Sequence, residues 1–158
     1  MRKLWAAAGA VLWFAGTGAG ALAQDATYRK DIKPIFDQKC AACHGAASSN
    51  LQEFLENQKK FEAAMKGPRM DSYADLIMLI GWPDTGAVMR RLDDGKNAGG
   101  KPGNMYQYLG STDEERQKNL LTFKAWVGPE GWILKRWNAR GNVPAITKEE
   151  LDKIRVKY

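Results

Sequence analysis

The stretch Cys40-Ala41-Ala42-Cys43-His44 holds both cysteines and the only histidine of a 158-residue chain. A C-x-x-C pair followed directly by histidine is the attachment pattern of c-type haem, in which the thiols become thioethers and the imidazole lies beneath the iron. The spacing has a physical reason: cysteines three apart fall on one side of a helical turn, and the next residue then points its ring at the metal held above. Neighbouring cysteines in an oxidising compartment ordinarily form a disulfide, and the histidine directly after the pair favours haem instead. A thioredoxin-like redox pair wants a βαβ context that is absent, and a zinc site needs about four ligands where the chain has one histidine and two thiols. The expectation is one covalent haem c, with Cys40 and Cys43 as anchors and His44 as proximal iron ligand.

The N-terminal flank fits. "TYRKDIKPIFDQKCAACHG" places Ile32, Ile35, Phe36 and Cys40 at helical spacing, with Pro34 tolerated near the first turn. Further upstream, Arg2 and Lys3 precede the uncharged run "LWAAAGAVLWFAGTGAGALA", which ends in Ala21-Leu22-Ala23. That reads as a secretory signal peptide over residues 1–23, cleaved after Ala23, because only "LWAAAGAVLWFA" is strongly apolar and glycines dilute the rest. A periplasmic protein is expected, meeting a membrane only through a partner or an uncleaved leader.

Downstream, Ser49 and Asn50 are placed to cap a helix through "LQEFLENQKKFEAAMK", with Leu51, Phe54, Leu55, Phe61 and Met65 as its apolar stripe and Gly67-Pro68 as its stop. "DSYADLIMLIG" is too short for periodicity to separate helix from buried strand, but its Leu, Met and Ala content favours helix. "WPDTGAVMRRLDDG" reads as a turn and a short helix, and "GKNAGGKPGN" as a loop. "STDEERQKNLLTFKAWV" carries a double capping pattern, Ser111 with Glu114 and Thr112 with Glu115. Its Leu120, Leu121, Phe123, Ala125 and Trp126 are expected to face the haem and the first helix. With no alternating strand pattern and no repeat, the fold class is all-α.

The iron's sixth position needs a second ligand, and with no other histidine the strongest candidate is a methionine thioether. Met65, Met78 and Met89 lie in apolar helical runs and read as core filler. Met70 and Met105 lie in loops. Met105 is preferred because "KPGNM" is a glycine-bearing approach that lets backbone come close to a flat ligand.

The chain here resembles the bacterial monohaem cytochrome c domains, including those found in planctomycete proteins, over about residues 27 to 132. "IKPIFDQKCAACHG" is similar to their "PIL…C..CHG" opening, "GWPDTGAVMRRLDDG" to their "GDP..S.L..RL" segment, and "GNMYQYLGSTDEERQKNLLTFKAWVGPEGW" to their "MPP…LT..E…L..WI..GA.W" ending. The resemblance implies a small class I-like helical fold rather than a four-helix-bundle cytochrome, and it places the distal sulfur on Met105. It departs at Tyr106, where the family usually has proline.

The organisation expected is a leader over 1–23, a cytochrome domain over 24–130 and a basic extension over 131–158. Removing Arg2 and Lys3 with the leader takes the formal charge from +6 to +4. From Glu130 onward seven basic residues stand against four acidic ones, leaving only about +1 on the haem domain. Thr147 and Glu150 form a capping box for a last helix. The extension is expected to pack Trp132, Trp137 and Leu151 on the domain, or to dock an acidic redox partner. So modest a charge argues against nucleic acid.

The reading is an electron carrier, not an enzyme, passing single electrons between a redox donor and acceptor. The alternatives are a haem-bearing subunit of a larger oxidoreductase, or a sensor or enzyme with an open sixth site, which would want a polar distal group. Arg69, Arg90 and Arg91 are the available side chains, and surface arginines beside acidic residues are ordinarily solvated.

Overall fold

The computed structural model describes residues 26–82, 84–96, 100–134 and 145–158. The expected leader, its cleavage point and Trp137 lie outside them. Among the described residues the structure is helical throughout, with no strand, and no helix is long and apolar enough to cross a membrane.

A π-helical turn, Tyr28–Ile32, runs into α1, Lys33–Lys39. Thr27 caps it by accepting the Lys30 N–H, and Pro34 lies in the first turn of α1, where a missing N–H costs nothing. Ile32 and Phe36, four apart on one face, are fully buried. The chain then makes the short α2, Ala41–His44.

The run after Asn50 is not one helix. Asn50 caps α3, Leu51–Glu56, but Asn57 leaves helical geometry at φ −124° and ψ 29°, and α4, Gln58–Ala63, begins anew. Asparagine is a weak helix former, and the break lets Phe54 and Phe61 stack at 6.0 Å. Leu55 and Met65 are therefore not core: both are exposed, Met65 to 76%. Lys66 N–H reaches Phe61 carbonyl and Met65 N–H reaches Glu62 carbonyl, a Schellman ending in which Met65 holds the left-handed position at φ +54°.

Ser72 caps α5, Tyr73–Met78, so "DSYADLIM" is helix as its composition indicated. Then come α6, Ala87–Leu92, a 3-10 turn, Tyr106–Leu109, and α7, Asp113–Val127. Only one of the two capping boxes before α7 forms, and it is a hybrid. Thr112 accepts the Glu115 N–H, while the Glu115 carboxylate returns to the N–H and hydroxyl of Ser111. Glu114 takes no part.

Leu120, Phe123, Trp126 and Val127 put one face of α7 into the core against Tyr28 and Ile32. Each such side chain contributes about 1.5–3 kcal/mol on burial. Leu121 lies on the opposite face, 61% exposed, because at about 100° per residue it falls about 160° from the centre of the face that Leu120, Phe123, Trp126 and Val127 bury. Met89 is buried as core filler, whereas Met78 is partly exposed.

After a 3-10 turn, Pro129–Gly131, the described chain resumes with α8, Lys148–Leu151, whose Thr147–Glu150 capping box is complete. Leu151 does not pack inward; it is exposed, and Ile154 and Val156 take that role beside Trp132. The final residues stitch onto the domain. Val156 and Arg155 donate to the carbonyls of Trp126 and Val127, and the Lys157 carbonyl accepts from Trp126 Nε1 at 2.7 Å and Tyr28 N–H at 2.8 Å. Tyr158 stacks on Tyr28 at 5.8 Å.

Candidate functional site

Cys40, Cys43 and His44 occupy a single turn. Cys40 ends α1 with its N–H on the Phe36 carbonyl, and Cys43 and His44 both donate to the Cys40 carbonyl. Both cysteines are half-buried free thiols. Burial, reinforced by the neighbouring Cys43, pushes the Cys40 thiol up to about 11. Since the thiolate is the species that attacks a disulfide partner, that shift disfavours a disulfide with Cys43 before haem is attached.

A second segment runs alongside this turn and grips it. Gly67 N–H donates to the Cys43 carbonyl at 2.8 Å, Met70 N–H to the His44 carbonyl at 2.8 Å, and Lys66 Nζ to the Ala42 carbonyl at 2.7 Å. His44 Nδ1 lies 2.9 Å from the Pro68 carbonyl. A carbonyl only accepts, so Nδ1 carries the proton and Nε2 keeps a free lone pair. Burial lowers the His44 pKa, the Pro68 bond opposes that, and the Arg91 charge adds to the lowering. The imidazole is thus held neutral, the form that binds metal.

Gly67 makes the grip possible. A Cβ there would lie 2.0 Å from His44 Cε1 and 2.4 Å from Nδ1, so the ring packs where any side chain would stand. In the sequence alone Gly67-Pro68 reads as a helix stop and nothing more. The Gly-Pro pair was itself the signal, since it forces a bare, extended backbone.

Met105 opens the 3-10 turn before α7 and is partly buried against the core. Its loop is anchored at several points despite Tyr106 in place of proline. Met105 N–H donates to the Arg91 carbonyl at 2.9 Å, Gly103 N–H to the Asp93 carbonyl at 2.8 Å, and Arg91 to the Asn104 side chain at 3.1 Å. The Tyr106 hydroxyl accepts from Gln117 on α7 at 2.7 Å. At Gly103 a Cβ would fall 2.3 Å from the carbonyls of Arg90 and Arg91, so the loop lies flush on the end of α6.

The other polar candidates are committed elsewhere. Arg90 is buried and paired with Asp84 and the Thr85 carbonyl, and Arg69 pairs with Asp71 at 2.6 Å. The Met89 sulfur accepts the Ile133 N–H at 3.2 Å.

Two thiols on one turn, a histidine with its outer nitrogen fixed and its inner nitrogen free, and an all-helical domain around them define the class of small monohaem c-type cytochromes. A family model described as PccH cytochrome c matches residues 27–158. The structure of monohaem cytochrome PccH from Geobacter sulfurreducens is 58% identical, with a TM-score of 0.74, over 85% of this chain and 99% of that one. No curated protein matches significantly. The chain belongs to the PccH cytochrome c family. It is accordingly a haem-based electron carrier and not an enzyme, with one covalently bound haem c.

Proposed function

We propose that Cys40 and Cys43 anchor the haem as thioethers, that His44 Nε2 and the Met105 sulfur are its two axial ligands, and that the protein works in the periplasm as a one-electron carrier. The carrying observation is the His44 Nδ1 bond to the Pro68 carbonyl at 2.9 Å. It fixes the tautomer and orients the ring, as the outer hydrogen bond of a metal-binding histidine does. The bound iron supplies exchange of a single electron between its ferric and ferrous forms.

Several features favour Met105 over Met70. Met70 donates its N–H to the His44 carbonyl, which puts it on the segment that grips the imidazole. Met105 comes from a separate loop on the end of α6, and methionine opposite histidine raises the potential. The leader-like residues 1–23 support export. Arg29 lies 4.3 Å from the Tyr158 ring, where the two ends of the described chain meet, and the backbone of Arg155 and Lys157 is bonded there to Val127 and Tyr28. That face suits an acidic donor or acceptor, and its electron-transfer rate should fall as salt rises.

The test is Met105→Ala. It should abolish the weak far-red band of ferric iron bound to thioether and let the ferrous protein take up carbon monoxide. It should also lower the potential by on the order of 0.1–0.3 V, part of the roughly 0.8 V that axial ligands span. Met70→Ala should do none of these. A wild-type protein that already binds carbon monoxide, with Met105→Ala spectrally unchanged, would overturn the assignment.

A further inference from the structure

Asp93 stands one residue past α6 with 0% of its surface exposed. The end of a helix is the negative pole of its dipole and disfavours a carboxylate, so the residue answers to something other than the helix. Its Oδ2 accepts the Gly95 N–H at 2.9 Å and its Oδ1 the Trp132 indole N–H at 3.1 Å. Its own carbonyl accepts the Gly103 N–H at 2.8 Å. One residue therefore ties together Gly95, Gly103 two positions before Met105, and the chain leaving α7. The next residue, Ile133, is fastened to Met89 inside α6, so Trp132 comes to Asp93 from a fixed support.

We propose that Asp93, with Trp132 as its anchor, is the positioning residue that keeps the Met105 sulfur on the iron; this rests on Met105 being the distal ligand. A thioether is a neutral, weak donor, and its occupancy depends on the loop that presents it. Asp93 holds Gly95 and Gly103, the latter two positions before that methionine. An amide in its place turns one accepting oxygen into a donor facing another donor, so one of the two N–H groups loses its partner. The form with the sulfur released should then become about 10- to 100-fold more populated, the shift expected from loss of one buried hydrogen bond to a charged group.

The experiment uses holoprotein matured with its haem: wild type, Asp93→Asn, Trp132→Phe and Met105→Ala. Trp132→Phe keeps an aromatic ring in place and removes the indole N–H together with the rest of the five-membered ring, and it decides the matter if Asp93→Asn does not mature. Three quantities are measured: the rate of carbon monoxide uptake by the ferrous protein, the urea concentration at which the far-red band is lost, and that at which helical circular dichroism is lost. Expected is uptake about 10- to 100-fold faster than wild type in Asp93→Asn and a smaller rise in Trp132→Phe, with the band lost at lower urea than the helices. A purely structural role would move band and helices together, and that result overturns the proposal, as does uptake no faster than wild type. If Met105→Ala matches wild type, the ligand assignment itself has failed and the proposal falls with it. That outcome is distinct from an active Met105 with a silent Asp93.

Discussion

Replacing Gly67 by alanine should release the imidazole of His44 from its clamp. The added Cβ would fall 2.0, 2.4 and 2.9 Å from three atoms of the ring, and Gly67 is not among the glycines at positive φ, so the cost is steric. Non-bonded contact begins near 3.5 Å, which means ring or chain must retreat by about 1.5 Å. That displacement takes Nδ1 out of reach of the Pro68 carbonyl, now at 2.9 Å, and pulls on the Gly67 bond to Cys43 at 2.8 Å. Overpacking costs about 1–3 kcal/mol and a lost hydrogen bond about 1 kcal/mol, so the holoprotein should lose about 2–4 kcal/mol. Urea unfolding followed by circular dichroism measures it. A weaker outer bond also makes the imidazole a poorer donor, so the potential should rise. Gly81→Ala is the control, because its Cβ would meet nothing nearer than Ile77 O at 4.0 Å, and it should stay within about 0.5 kcal/mol of wild type. Equal stabilities for the two variants would refute the steric argument.

Other substitutions test other joints. Met65→Gly places glycine at a left-handed C-terminal position where an exposed methionine now sits at φ +54°, and should stabilise the protein by about 0.5–1 kcal/mol in thermal melts. Glu115, hydrogen-bonded first by Lys39 and then by Ser111, has its pKa lowered to about 2. A depressed carboxylate contributes fully above its ordinary 4.5 and loses that contribution as pH falls toward 2. The stability gap between wild type and Glu115→Gln should therefore be constant at neutral pH and close across that window, and a gap unchanged at pH 2 would contradict it. Deleting residues 156–158 removes the acceptor of two N–H groups and two tyrosine ring contacts. It should cost about 2–4 kcal/mol in urea titrations while leaving the covalent haem content unchanged.

What could be read from the sequence was chemistry written in consecutive residues. Cys40, Cys43 and His44 needed no tertiary information, and neither did the caps at Asn50 and Thr147, whose partners lie three positions on. What escaped depends on distant neighbours. Pro68 accepts from a histidine 24 positions away and Asp93 from an indole 39 away, and neither spacing has a local pattern. The break at Asn57 was a matter of degree, since a weak helix former continues a helix or ends it according to packing. Leu121 was misplaced because an apolar letter beside Leu120 looks like core until the rotation of α7 is fixed. The terminal residues were invisible for the same reason: Tyr73 donates to the Val156 carbonyl across 83 positions.

That seam between the two ends of the described chain bears on the order in which the domain assembles. Arg29 and Tyr158 meet across 129 positions, and closing a loop of that length costs about 4 kcal/mol of chain entropy. A few hydrogen bonds at about 1 kcal/mol each do not offset that alone. The seam zips only once α7 has already brought Trp126 beside Tyr28, whereas the turn bearing the two thiols needs contacts only four residues apart. The thiol turn should thus form early and the seam late, and native-state hydrogen exchange should find the amides of Tyr28 and Val156 opening before those in the middle of α7.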